Sequence, residues 1–306
     1  QPQQLPAEVQ TKTVALSVER LLDCAIELHR RLKALPNLSQ SAVPFKPCDI
    51  VDTFANCMEI GYSMQLLDSE YKAANTEFLA DVFGRMASGA AGSVHAKAVA
   101  VLGGETSNRN ALISRLCGRS PRAVPGPTAH GMSVALYGTT FPDLPALLVV
   151  DVEIASNRTC ENSEVAAVDR AATLAVGMGD VVILNIEIGG SLHPSTRSLF
   201  RAVVGRLNAM GEQHRPEVVL VLRYSLVPGA NEGMLEVSLS GLHDQLCELE
   251  ELDTSEKSLL NPESTVLLPL ADGSPEFGEA CFSLRQLVAK RAKARPANTE
   301  AASRTW

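Results

Sequence analysis

Leu102-Gly103-Gly104-Glu105-Thr106-Ser107-Asn108-Arg109-Asn110-Ala111 is the stretch that decides the fold of this chain. A run of small apolar residues, Ala98 to Leu102, leads into it, as a buried strand does. A helical pattern follows, with Leu112, Ile113, Leu116 and Cys117 on one side and Gly118 as the stop. Strand, Gly-rich turn and helix together make the context of a phosphate-binding loop. A working loop ends in Gly-Lys-Ser/Thr; here those positions read Asn108, Arg109 and Asn110. Asn tolerates the left-handed backbone of the missing Gly, so the turn is expected to keep its shape. Arg109 keeps the charge of the lysine but is a planar fork, not a compact ammonium. Asn110 lacks the hydroxyl that holds Mg²⁺.

Working outward, the chain has 306 residues, 45% of them hydrophobic, which suffices for one large domain or a domain with an appendage. The net charge of −8 offers no general field for phosphate backbones, so nucleic acid is not indicated as a partner. Lys290-Arg291-Ala292-Lys293-Ala294-Arg295 reads first as a solvated helix end, with contact to an acidic partner as the alternative. Seven scattered cysteines without a CxxC pair argue against a zinc site or a disulfide framework. They favour a reducing, intracellular compartment, cytoplasmic or organellar (mitochondrial). No apolar run reaches the length of a membrane span, and the first residues lack a signal-peptide core.

Residues 1–95 read as a helical N-terminal region. Val14, Val18, Leu21, Ala25, Leu28, Leu32 and Leu35 follow an a/d spacing. The first expectation is a helix packed on its own domain near Phe54 and Met58; the other is a partner-binding helix. Leu21→Asp with Leu28→Asp is then expected to be damaging and Arg109→Ala nearly silent. A second long helix is expected from about Cys48 to Met86. From Lys97 onward, apolar strands (Ala98–Leu102, Met132–Tyr137, Leu147–Asp151, Val181–Asn185, Val218–Leu222, Thr265–Leu268) alternate with helices. That order predicts a largely parallel sheet covered on both faces, with any ligand outside the strand carboxyl ends.

Further segments fall in the order of a GTPase: Thr128-Ala129-His130-Gly131-Met132, then Val150-Asp151-Val152-Glu153-Ile154 with Arg158, then Asp180 to Asn185, then Leu220-Val221-Leu222-Arg223-Tyr224. Together they resemble the dynamin superfamily, in its GB1/RHD3-type branch of guanylate-binding proteins, atlastins and Sey1/root-hair-defective-3 GTPases. The resemblance spans about residues 97–290 and implies a nucleotide site at Gly103, Gly104, Ser107, Asn108, Arg109, Asn110, Thr128, Asp151, Arg223 and Tyr224. The metal positions it implies are Asn110 and Asp151.

The departures from that pattern point one way. Ala129 removes a switch hydroxyl. Ile154 replaces the Gly whose amide senses the γ-phosphate, and a branched side chain there is stiff. Tyr224 replaces the Asp that reads guanine and supplies no bidentate acceptor. Phosphoryl transfer rests on positioning and electrostatics, so these losses leave no expected catalytic residue. The histidines show no paired-ligand spacing, and Ser191 and Ser195 lack a nucleophile-elbow pattern.

The sequence therefore predicts a three-layer α/β, P-loop GTPase-like fold, mostly parallel, with an N-terminal helical extension. The G domain is expected over 96–290, followed by a basic and polar tail at 291–306. The expected function is a non-catalytic pseudo-GTPase without cofactor, a scaffold or regulatory subunit with protein partners in a larger complex. The resemblance adds G-domain dimerisation, with itself or with an active homologue. The alternative is a divergent dynamin-like GTPase of membrane remodelling, with GTP or GDP and Mg²⁺.

Overall fold

The computed structural model describes residues 18–34, 46–67, 76–88, 96–104, 109–118, 131–141, 144–154, 161–188, 194–224, 240–241, 261–270 and 274–294. In chain order the elements are α1 (Val18–Ala34), α2 (Pro47–Glu59), β1 (Met64–Leu67), α3 (Thr76–Ser88), β2 (Lys97–Gly104), α4 (Arg109–Cys117), β3 (Gly131–Phe141) and β4 (Leu144–Ile154). Then follow α5 (Glu161–Met178), β5 (Val181–Ile188), α6 (Pro194–Ala209), β6 (Glu217–Tyr224), β7 (Thr265–Pro269) and α7 (Pro275–Ala294).

The strands form one seven-stranded sheet in the order β1-β3-β4-β2-β5-β6-β7. β2, β4, β5, β6 and β7 run parallel, and β3 is antiparallel to both β4 and β1. Helices cover both faces, giving the expected three-layer α/β architecture of a P-loop GTPase-like fold. One face carries α2, α3, α5 and α6, packed on Ala100, Leu102, Val150, Val152, Val182 and Leu184. The other carries α4 and α7, packed on Val99, Val101, Val149, Ile183, Val219 and Val221. Even and odd strand residues go to opposite faces, as the two-residue period requires. Central strands buried on both sides are continuous apolar runs for the same reason; Val99, Ala100, Val101 and Leu102 are all fully buried.

Local chemistry ends the elements. Gly118, just past α4, takes φ +68°, the left-handed cap that glycine adopts without strain. Gly61 takes φ +91° between α2 and β1. That turn breaks the expected Cys48–Met86 helix into α2, a strand and α3. Met64, Leu66 and Leu67 are buried in the helical face's core, and β1 pairs with β3 at the sheet edge. Met, Gln and Leu are good helix formers, so nothing in their propensity announces a four-residue strand. Residues 1–95 thus supply the sheet with a strand as well as helices.

α1 packs on α2 and α3. Leu32 and His29 are buried, and the His29 ring meets Phe78 edge-on with centroids 5.2 Å apart. Leu28 is 44% exposed, so the buried stripe is rotated from the heptad seam. Val14 and Leu35 lie outside the described residues, as do the side chains of Val18 and Leu21. Among the described residues no helix is long and apolar enough to cross a membrane.

Candidate functional site

Strand order reverses at β2, which has β4 on one side and β5 on the other. The carboxyl end of β2 is therefore the crevice where such sheets receive ligands. β2 delivers Gly103, and β4 delivers Glu153 as its partner in register, with Asp151 opposite Val101. Asp151 and Glu153 are two apart on one strand, so both side chains lie on the α4 face. α4 begins with Arg109.

These residues meet. The Arg109 side chain is 4% exposed. Its Nε donates to Asp151 Oδ1 at 2.8 Å and its Nη1 to the Gly103 carbonyl at 3.0 Å. Its Nη2 lies 2.7 Å from Glu153 Oε2. Burial opposes the charge on the guanidinium, but Asp151 and Glu153 outweigh it and hold its pKa above the ordinary value. The fork geometry that sets arginine apart from lysine is what reaches three acceptors at once.

The other expected site residues are placed differently. Gly104 ends β2 opposite Ile154. Asn110 is exposed on the first turn of α4, and its carbonyl accepts from Ser114 Oγ at 2.7 Å. Arg223 is fully buried on β6, its guanidinium 5.2 Å from the centroid of the Phe277 ring on α7. It donates from Nη2 to the Leu270 carbonyl at 3.3 Å. Tyr224 is half-buried at the end of β6, and burial, with Glu276 adding to it, raises its phenol pKa. Ser107, Asn108, Thr128, Ala129 and Arg158 lie outside the described residues. The structure thus brings together Gly103, Arg109 and Asp151, and leaves Asn110, Arg223 and Tyr224 out of that cluster.

Glu153 joins the cluster although it was not among the expected site residues. Its signal was present: an Asp-x-Glu pair on a strand puts two carboxylates on one face, and two like charges at a sheet end call for a cation. Asn185, 2% exposed, stands beside Gly103 in register on β5. Asp180 has a structural role at the opposite end of the sheet. Its Oδ2 accepts from Ala98 N at 2.9 Å, its N–H donates to Ala98 O at 2.8 Å, and its carbonyl accepts from Glu217 N at 3.0 Å. It staples β2 to the starts of β5 and β6.

Two described residues depart from what a magnesium–nucleotide complex uses. Asp151, which would orient the metal through water, is held by Arg109. Asn110, at the position of the metal's hydroxyl ligand, has none. Among the described residues no group of three or more His, Cys, Asp or Glu side chains is placed to hold a metal ion.

No protein-family model matches the chain, and no curated protein does. Similar solved structures include Era in complex with MgGDPNP and nucleotides 1506–1542 of 16S ribosomal RNA, at 16% identity and a TM-score of 0.41. That alignment covers 66% of this chain and 57% of the Era chain. Another is an Aquifex aeolicus Era variant bound to GDP·AlF4⁻, at 17% identity and a TM-score of 0.41, covering 65% of this chain and 56% of that one. This chain spans less than two thirds of the length of either Era chain. The class is a three-layer α/β, P-loop GTPase-like fold, and the likeness is one of fold alone.

These findings correct the GB1/RHD3-type resemblance. The similar solved structures belong to a different GTPase, Era, and no family model supports a dynamin-superfamily G domain. The physical reason lies in what the matching residues do. Apolar strands and the staple at Asp180 are demands of this kind of sheet, so their order describes the fold and does not discriminate among families that share it.

Proposed function

We propose that the chain is a non-catalytic pseudo-GTPase, a scaffold or regulatory subunit with protein partners in a larger assembly. The observation that carries this reading is the Arg109 guanidinium seated between Asp151 and Glu153 at the carboxyl end of β2. Charges that would otherwise serve phosphate and metal are spent on one another. A nucleotide entering there would have to break buried ion pairs, and breaking one partner of such a pair is costly, about 3–5 kcal/mol. Asn110 and Tyr224 point the same way, since neither supplies what Mg²⁺ or guanine requires. A fold outlasts its original site readily, and function follows the site. A reducing intracellular compartment belongs to the same reading and is supported by the scattered cysteines.

The test is a titration of purified protein with fluorescent GTP and GDP at physiological Mg²⁺. No saturable binding is expected. Micromolar, Mg²⁺-dependent binding that prefers guanine to adenine would overturn the reading.

A further inference from the structure

We propose that the Asp151–Glu153 pair is a cation site filled by the Arg109 guanidinium in place of any ligand, which ties α4 to the ends of β2 and β4 without nucleotide. This deepens the non-catalytic reading and rests on it. Two carboxylates on one face of β4, about a fifth exposed each, repel one another unless a cation sits between them. In a working P-loop site the cation facing the strand-end carboxylate is a Mg²⁺ ion that arrives with the nucleotide. Here the cation is covalently part of α4.

One feature argues that the contact is built and not incidental. The guanidinium that bridges Asp151 and Glu153 also binds the Gly103 carbonyl at 3.0 Å, so one side chain ties α4 to the ends of both β2 and β4. Arg109 is therefore a positioning residue.

The experiment is a charge cycle on the full chain: Arg109→Ala, Asp151→Asn with Glu153→Gln, and the triple combination, each followed by thermal unfolding. Arg109→Ala is expected to lower the midpoint by about 5–15 °C. The triple variant is expected to melt above Arg109→Ala, because neutral amides no longer repel. Millimolar methylguanidinium is expected to raise the midpoint of Arg109→Ala but not of the triple variant. If Arg109→Ala does not fold, the triple variant is still expected to fold, and its failure would overturn the proposal. An unchanged midpoint in Arg109→Ala would do so too, as would methylguanidinium acting equally on the triple variant. Nucleotide binding by the unaltered chain would sink the non-catalytic reading while leaving this charge coupling standing; loss of the coupling leaves the binding result untouched.

Discussion

Two clusters of one basic and two acidic side chains join elements of this protein, and their distances are alike. Arg109 lies 2.8 Å from Asp151 and 2.7 Å from Glu153; Lys33 on α1 lies 2.8 Å from Glu77 and 2.7 Å from Asp81 on α3. Burial separates them. The Arg109 side chain is 4% exposed, against 39% for Lys33 and 68% for its partner Glu77. Water screens the second cluster more than the first, whose guanidinium is buried and whose carboxylates are about a fifth exposed. The same Coulomb geometry is worth little in one place, while in the other its loss strands charges in a medium that does not solvate them. Distance lists alone do not rank ion pairs.

The largest effect should therefore come from Arg109→Ala, with about 3–5 kcal/mol lost in urea unfolding. Sequence led to the opposite expectation, that this change is nearly silent, because the loop has lost the residues that work on phosphate. Nothing in the residue order shows that the side chain is buried. A loss below 1 kcal/mol would erase the contrast between the two clusters.

Much of the fold was legible. The strands from Ala98 to Leu268 stand out because burial on both faces leaves few polar positions, and Gly118 marks the end of α4 because its backbone is left-handed. β1 was not legible, since an edge strand of helix-forming residues has neither period nor propensity to betray it. The frame of the site was legible at Gly103, Arg109 and Asp151. The role of Glu153 was not, because it depends on α4 laying Arg109 across β4. The family resemblance failed for a related reason: much of it rested on apolar strands that the sheet itself demands.

A middle-sized effect separates packing from charge in the docking of α1. Leu32 is 3% exposed and Leu28 44%, though both occupy the heptad seam. Leu32→Ala is expected to cost about 2–3 kcal/mol and Leu28→Ala no more than about 0.5 kcal/mol. Chemical denaturation of the pair decides it. Equal costs would mean that the seam, and not the stripe through His29 and Leu32, holds the helix.

His29 tests the same interface through pH. Its Nε2 is 3.2 Å from Asp81, yet burial, assisted by the charge on Lys33, holds its pKa below the ordinary value against the pull of Asp81 and Glu77. Folded protein thus prefers the neutral ring. Its contribution is present above the unfolded pKa of about 6.5 and is lost as pH falls below it toward the depressed folded value. The melting midpoint of the unaltered chain should fall more between about pH 7 and pH 5 than that of His29→Gln. Parallel curves would show that the ring's protonation does not matter.

The smallest effect should be Lys33→Ala. Lys33 bonds both Glu77 and Asp81, and these contacts hold its pKa above the ordinary value despite some burial. Two short bonds invite the inference of a strong tie. An exposed ammonium on a flexible stem gives up rotamer freedom to hold that geometry, and salt screens what remains. A loss of no more than about 1 kcal/mol is expected at low salt, shrinking toward zero near 1 M NaCl. Arg109→Ala measured in the same two buffers should keep most of its cost, since a buried pair is screened far less. A Lys33 loss as large and as salt-resistant as that of Arg109 would mean that α1 shields its ion pairs from solvent more than their exposure indicates. Burial would then no longer be the variable that separates the two clusters.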